Sequence, residues 1–169
     1  MKTLDQPFST SPLLDQAGIR AYASYFAIWF IPALMVARLL GHLTEAGGAT
    51  HATFYSLVVL VSSHRLLDRF FHGQRRIVQY RERHRLALHC ATVSAVATLM
   101  LSLFAARIGL VSFSGEPHRA AESEVLMVAS LPVLWALDYV LFRLLFSELV
   151  SIPLFALWRR RQGARAEPG

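Results

Sequence analysis

The sequence predicts an all-α integral membrane protein: a four-helix bundle with an amphipathic, interfacial extension at its C-terminal end. Three observations predict it. Hydrophobic residues make up 54% of only 169 residues, and mean hydropathy is +0.42. A soluble globule of this length cannot hide so much apolar surface, because the buried fraction is small in small chains. Four apolar runs approach or exceed the roughly 20 residues that a helix needs to cross a bilayer. Basic residues collect between the second and third runs and after the fourth.

The chain opens with "MKTLDQPFSTSPLLDQAG", which is polar and carries Asp5 and Asp15. That is no cleavable signal, so the first hydrophobic helix is expected to act as an uncleaved anchor. The first span is residues 21–41, "AYASYFAIWFIPALMVARLLG", with Tyr22, Tyr25 and Trp29 in its first half and Arg38 snorkelling near its outer end. The second apolar run, "ATFYSLVVLVSS" (52–63), is short, and it reaches span length (52–71) if "HRLLDRFF" continues the helix. The third span is 86–106. Its Ser and Thr residues, with Ala87, Ala91, Ala95 and Ala97, suit close helix packing, and Arg107 ends it. The last apolar run, 125–158, is 34 residues long. At helical rise it would extend roughly 50 Å, against a hydrocarbon core near 30 Å. The fourth span is therefore placed at 125–143, and 144–169 becomes an interfacial or cytoplasmic extension anchored by Trp158 and an arginine triplet. Pro32 and Pro132 allow kinks within their spans.

Arginine distribution sets the orientation, because short cytoplasmic loops collect Lys and Arg. The stretch 64–85 holds Arg65, Arg69, Arg75, Arg76, Arg81, Arg83 and Arg85, and the tail adds Arg159, Arg160 and Arg161. The other two connections, "HLTEAGGATH" and "SFSGEPHRAAESE", contain only Arg119. One multi-pass, single-domain topology (1–169) satisfies this: both termini and the basic loop 64–85 inside, two short loops outside. Within 64–85, Asp68 can pair with His64, Arg65 or His72 on a helix. Gly73 divides the stretch into two helices that leave the membrane, and this bracket would present arginines to anionic lipid head groups or to an acidic protein surface. No nucleic-acid-binding motif accompanies the charge.

Several chemistries lose support. Cys90 is the single cysteine, so no intramolecular disulfide or thiolate zinc site can form, and in an apolar helix it is an inert small hydrophobe. No GxSxG or HExxH motif and no glycine-rich phosphate loop occurs. Little chain lies outside the lipid, so an enzyme domain, a metal site and a bound cofactor are not expected. The ionisable residues Asp138, Arg143 and Glu148 lie in the last apolar run, where charges mark functional sites. Their spacing of five turns each about 140° from the last, so they form no single stripe. Asp138 lies deepest, as a bundle-holding residue paired with an arginine or backbone group of a neighbouring helix, or as a proton or cation site. His64 and His89 stand near the inner ends of spans two and three, as the axial ligands of a b-type haem would.

The leading expectation is a non-enzymatic membrane subunit or sensor that self-associates and tethers an acidic soluble cytoplasmic partner through its arginine-rich inner face. The alternatives are a small transporter or oligomeric channel using Asp138, and a haem protein using His64 and His89.

The run "RRIVQYRERHRLALHCATVSAVATLMLSLFA", with "LDYVLFRLLF", resembles a family of small uncharacterised four-helix inner-membrane proteins of proteobacteria. Glu82 followed by Arg85, Leu86, Ala87 and Leu88 carries the likeness, together with Tyr139 and Arg143. The longer last apolar stretch departs from the pattern. The resemblance implies the bacterial inner membrane and nothing about activity.

Overall fold

The computed structural model describes the backbone of residues 13–43, 48–107 and 117–166. It describes the side chains there except at 42, 48–51, 106, 117–128 and 164–166. Residues 44–47 and 108–116, within the two connections expected outside, lie beyond these residues, and Arg119 and the start of the expected fourth span (125–128) are described in backbone alone.

Five helices form: α1 (Gln16–Leu43), α2 (Gly48–Gln74), α3 (Tyr80–Arg107), α4 (Pro117–Leu145) and α5 (Glu148–Ala166). Three of the five starts have a visible local cause. Asp15 caps α1: its Oδ1 accepts the Gly18 N–H at 2.7 Å. Gln79 precedes α3, and the carboxylate of Glu82, three residues on, reaches back to the Gln79 N–H at 3.0 Å. That is the returning half of a capping box. Ser147 precedes α5, and its carbonyl accepts the N–H of Ser151 at 2.8 Å. At the end of α2 the left-handed residue is Arg75 (φ 50), whose N–H bonds the Phe71 carbonyl at 2.9 Å.

Gly73 therefore plays a different part from the expected one. The helix runs through it, and a Cβ there would lie 2.7 Å from the Tyr22 hydroxyl. Its smallness serves the approach of α1 to α2. The break comes two residues later.

α1 packs along α2 and α3, α3 packs along α4, and α5 touches the inner parts of α2 and α4. α1 and α2 run antiparallel, as shown by Tyr22 against Phe70, Tyr25 under Arg69, and Trp29 under Arg65. Six fully buried phenylalanines, Phe26, Phe30, Phe70, Phe71, Phe142 and Phe146, form much of the core. Phe26 meets Phe142 edge-on at 5.2 Å, joining α1 to α4. α3 turns Ala87, Cys90, Ala91, Ser94 and Ala95 inward, and all are buried. Small side chains at i, i+3 and i+4 let neighbouring backbones come close. Outward, Ile28, Val36, Leu57, Leu60, Met100, Phe104, Val133 and Leu137 are exposed, a belt suited to lipid.

α1 and α3 are each long and apolar enough to cross a membrane. Among the described residues, Ala129–Leu145 of α4 and Glu148–Gly163 of α5, bent by 47° at the break between them, pass the same test as a pair. α2 does not pass. It has the length, but His64, Arg65, Asp68 and Arg69 occupy its second half. Two or three helices thus qualify by composition, against the four spans expected. The bend between α4 and α5 falls at Phe146–Ser147.

Candidate functional site

The arginines of 64–85 and 159–161 separate into two groups. One group is built into the fold. Arg76 donates to both oxygens of Glu82, at 2.7 and 2.6 Å, and Glu82 also accepts the Leu14 N–H at 2.8 Å. With the Gln79 N–H, Glu82 accepts four hydrogen bonds while being 1% exposed. Every one of them favours the charged carboxylate, which compensates its removal from water. Arg83 donates to the Val78 carbonyl at 3.1 Å and forms a salt bridge with Glu148, tying α3 to α5. Arg65, Arg69 and Arg159 lie over the rings of Trp29, Tyr25 and Phe155 at 5.1, 6.0 and 6.0 Å.

The other group is exposed, as Arg65, Arg69 and Arg159 also are, and differs from them in having no ring or acid partner among the described residues. Arg75, Arg81, Arg85 and Arg160 sit at the same end of the molecule, and no side chain of the described residues forms a salt bridge with them. Arg161 borders a cavity beside His64 and Asp68. Two histidines at this end make contacts between helices. His72 receives the Trp158 and Gln162 side chains of α5, and His84 bonds the Tyr139 hydroxyl at 2.6 Å. Asp68 approaches His72 at 3.5 Å, whereas Arg65 turns away from Asp68 to Trp29.

Asp138 is the second centre. It is 2% exposed and accepts hydrogen bonds from Tyr55 (2.6 Å) and Ser94 (2.7 Å), whose hydroxyls are 2.6 Å apart. Three helices, α2, α3 and α4, meet at this carboxylate. Its partners are hydroxyls, not the arginine or backbone group expected. A cavity of about 250 Å³ begins beside Tyr55 and Thr98 and is bordered by Arg38. Arg38 bonds Ser102 across α1 and α3 at 3.0 Å, so it is a cross-helix residue as well as a snorkelling one.

Arg143 and Glu148 are not brought to Asp138. Arg143 bonds the hydroxyls of Tyr80 (2.8 Å) and Tyr139 (3.2 Å), while Glu148 lies at the start of α5 with Arg83. His64 borders the space between α2 and α5, and no α3 residue forms a wall of that space, so His89 is not gathered with it. Among the described residues, no three His, Cys, Asp or Glu side chains assemble into a metal-binding group.

No family model, curated protein or solved structure matches the chain. What the two centres can do follows from their geometry. A carboxylate held at one oxygen by two hydroxyl donors ties helices together and can exchange a proton along the hydroxyls. A patch of unpaired guanidinium groups attracts anions. Glu82 was findable in the sequence from its capping-box distance to Gln79. Tyr55 and Ser94 were not, since they lie 83 and 44 residues from Asp138 and belong to other helices.

Proposed function

We propose that the chain is a polytopic inner-membrane protein, a non-enzymatic subunit whose arginine-rich cytoplasmic end tethers an acidic soluble protein. The observation that carries this reading is the division among the arginines. Those that the fold needs are neutralised by Glu82 and Glu148 or laid over aromatic rings. Arg75, Arg81, Arg85 and Arg160 remain at one end without acidic partners among the described residues. Unpaired guanidinium groups clustered on one surface steer and hold acidic partners. In this reading all four long helices cross the membrane as a bundle. α2 crosses by laying Arg65 and Arg69 against Trp29 and Tyr25 of α1, and both termini are cytoplasmic.

The test is the triple variant Arg75→Gln, Arg81→Gln, Arg85→Gln, purified in mild detergent beside the wild type. Loss of a stoichiometric acidic partner, with membrane orientation unchanged, is the expected outcome. Equal retention of that partner by both proteins overturns the reading. Arg76 and Arg83 are unsuitable for this test, because altering them breaks the fold's own ion pairs.

A second reading has its own observation. The cavity bordered by Arg38, Tyr55 and Thr98 reaches the hydroxyl that bonds Asp138. A proton or cation path through Asp138 predicts flux in proteoliposomes that Asp138→Asn abolishes without loss of assembly.

A further inference from the structure

α5 leaves α4 at 47° and reaches α2 through Phe155 against Phe71 and through Trp158 and Gln162 against His72. Between α2 and α5 this leaves a wedge, closed at one end by Leu145 of α4. The wedge is a cavity of about 650 Å³, within the range of small-molecule sites. One side is apolar, formed by Leu60, Val61, Val150 and Leu154, and Leu60 and Val61 are half exposed outward. The other side is charged. His64, Asp68 and Arg161 border this wedge and also a smaller adjoining cavity of about 60 Å³.

The two charges are the informative feature. Asp68 and Arg161 face the same small space, yet no salt bridge joins them; Asp68 approaches His72 instead, at 3.5 Å. Arg65 also borders the wedge, but its guanidinium lies over Trp29, and of the two arginines only Arg161 borders the smaller cavity. In the wall, the Ser63 hydroxyl is buried without a hydrogen-bond partner. A buried, unsatisfied hydroxyl costs free energy unless something supplies its partner. The site thus offers a cation, an anion, a spare hydroxyl and an apolar wall, in that juxtaposition.

We propose that this wedge binds one aminophospholipid with an ethanolamine-type head group. Its phosphate lies on Arg161 with His64, and its ammonium group donates to Asp68. Its ester region takes the Ser63 hydroxyl, and its first acyl carbons run along Leu60, Val61, Val150 and Leu154. Clefts between helices at the basic side of a membrane are where head groups are recognised. The presence of Asp68 selects among head groups. A purely anionic lipid would bring its phosphate against an unneutralised carboxylate. A choline head group keeps the positive charge but has no N–H for Asp68 to accept. The site is separate from the exposed arginines 75, 81, 85 and 160, and the proposal does not rest on the tethering reading.

The experiment is native mass spectrometry of the full-length protein in detergent, titrated with phosphatidylethanolamine, phosphatidylcholine and phosphatidylglycerol of identical acyl chains. Retention of one phosphatidylethanolamine per chain, with about tenfold preference over the choline lipid, is expected; that factor is about 1.4 kcal/mol. Asp68→Asn should erase the preference between ethanolamine and choline, and Arg161→Gln should lower retention of both. Equal retention of all three lipids by the wild type overturns the proposal, as does preference for the glycerol lipid. Unaltered retention by both variants overturns it too. The wild-type comparison decides the matter even if a variant fails to fold.

Discussion

Glu82 and Asp138 are both buried acids, and they are accommodated by opposite means. Glu82 is met by a guanidinium and by two backbone N–H groups, so its charge is compensated in place. Asp138 is met by two hydroxyls, which satisfy its Oδ2 without neutralising it. The costs of removing them should differ accordingly. Glu82→Ala strands the mostly buried Arg76 and frees two N–H groups, and breaking such a pair costs about 3–5 kcal/mol. Unfolding in an SDS titration should show it as a large shift of the midpoint. Asp138→Asn keeps an acceptor oxygen for Tyr55 and Ser94. Interhelical hydrogen bonds in membranes average about 0.6 kcal/mol and reach about 1.7, so the same titration should move little. The sequence exposed one of these acids and hid the other's company. A carboxylate three residues after Gln79 is a local pattern. The hydroxyls of Tyr55 and Ser94 reach Asp138 only through the packing of three helices, which no short stretch encodes.

At the level of elements, α5 is held at its start and again along its middle, where Phe155 and Trp158 meet Phe71. Glu148 bonds Arg83 at its start, and Trp158 packs on Phe71 and His72. Leu149 between them is 87% exposed. Trp158→Ala removes the ring that contacts Phe71, Phe155 and His72, so α5 should detach from α2. Trypsin should then cut at Arg159–Arg161 several times faster, whereas Leu149→Ala should leave the cleavage rate as it was. The excess length of the last apolar run showed in the sequence that one crossing could not use all of it. The place of the break did not show as clearly. Helix α4 runs to Leu145, past the boundary expected at 143, and the chain turns at Phe146–Ser147 where Ser147 can start a new helix. The pair Ser147–Glu148, a capping residue before an acid in the first turn, is the signal that marks it. Gly73 misled for a converse reason. Its lack of a side chain answers a contact with Tyr22 across the fold, which looks the same in sequence as a helix breaker.

For the whole molecule, the all-helical fold followed from apolar run length, which is a property of the chain alone. The standing of α2 did not. Its second half is too polar to qualify as a span by composition, and only the structure shows Arg65 and Arg69 lying on aromatic rings of α1. Orientation gives the prediction proper to this scale. In a Cys90→Ala background, cysteines placed at Arg81 and Arg160 should react with an impermeant thiol reagent from one side. A cysteine placed at Glu45 should react from the other side. Labelling of all three from one side would refute the topology. The knot of bonds around Glu82 also bears on how the protein is made. The Leu14 amide at the entrance of α1 finds its acceptor 68 residues downstream. During synthesis, the α1–α2 hairpin must therefore emerge and wait with its first turn unlatched. The ribosome has to deliver the opening turn of α3 before the beginning of the chain can be locked in place.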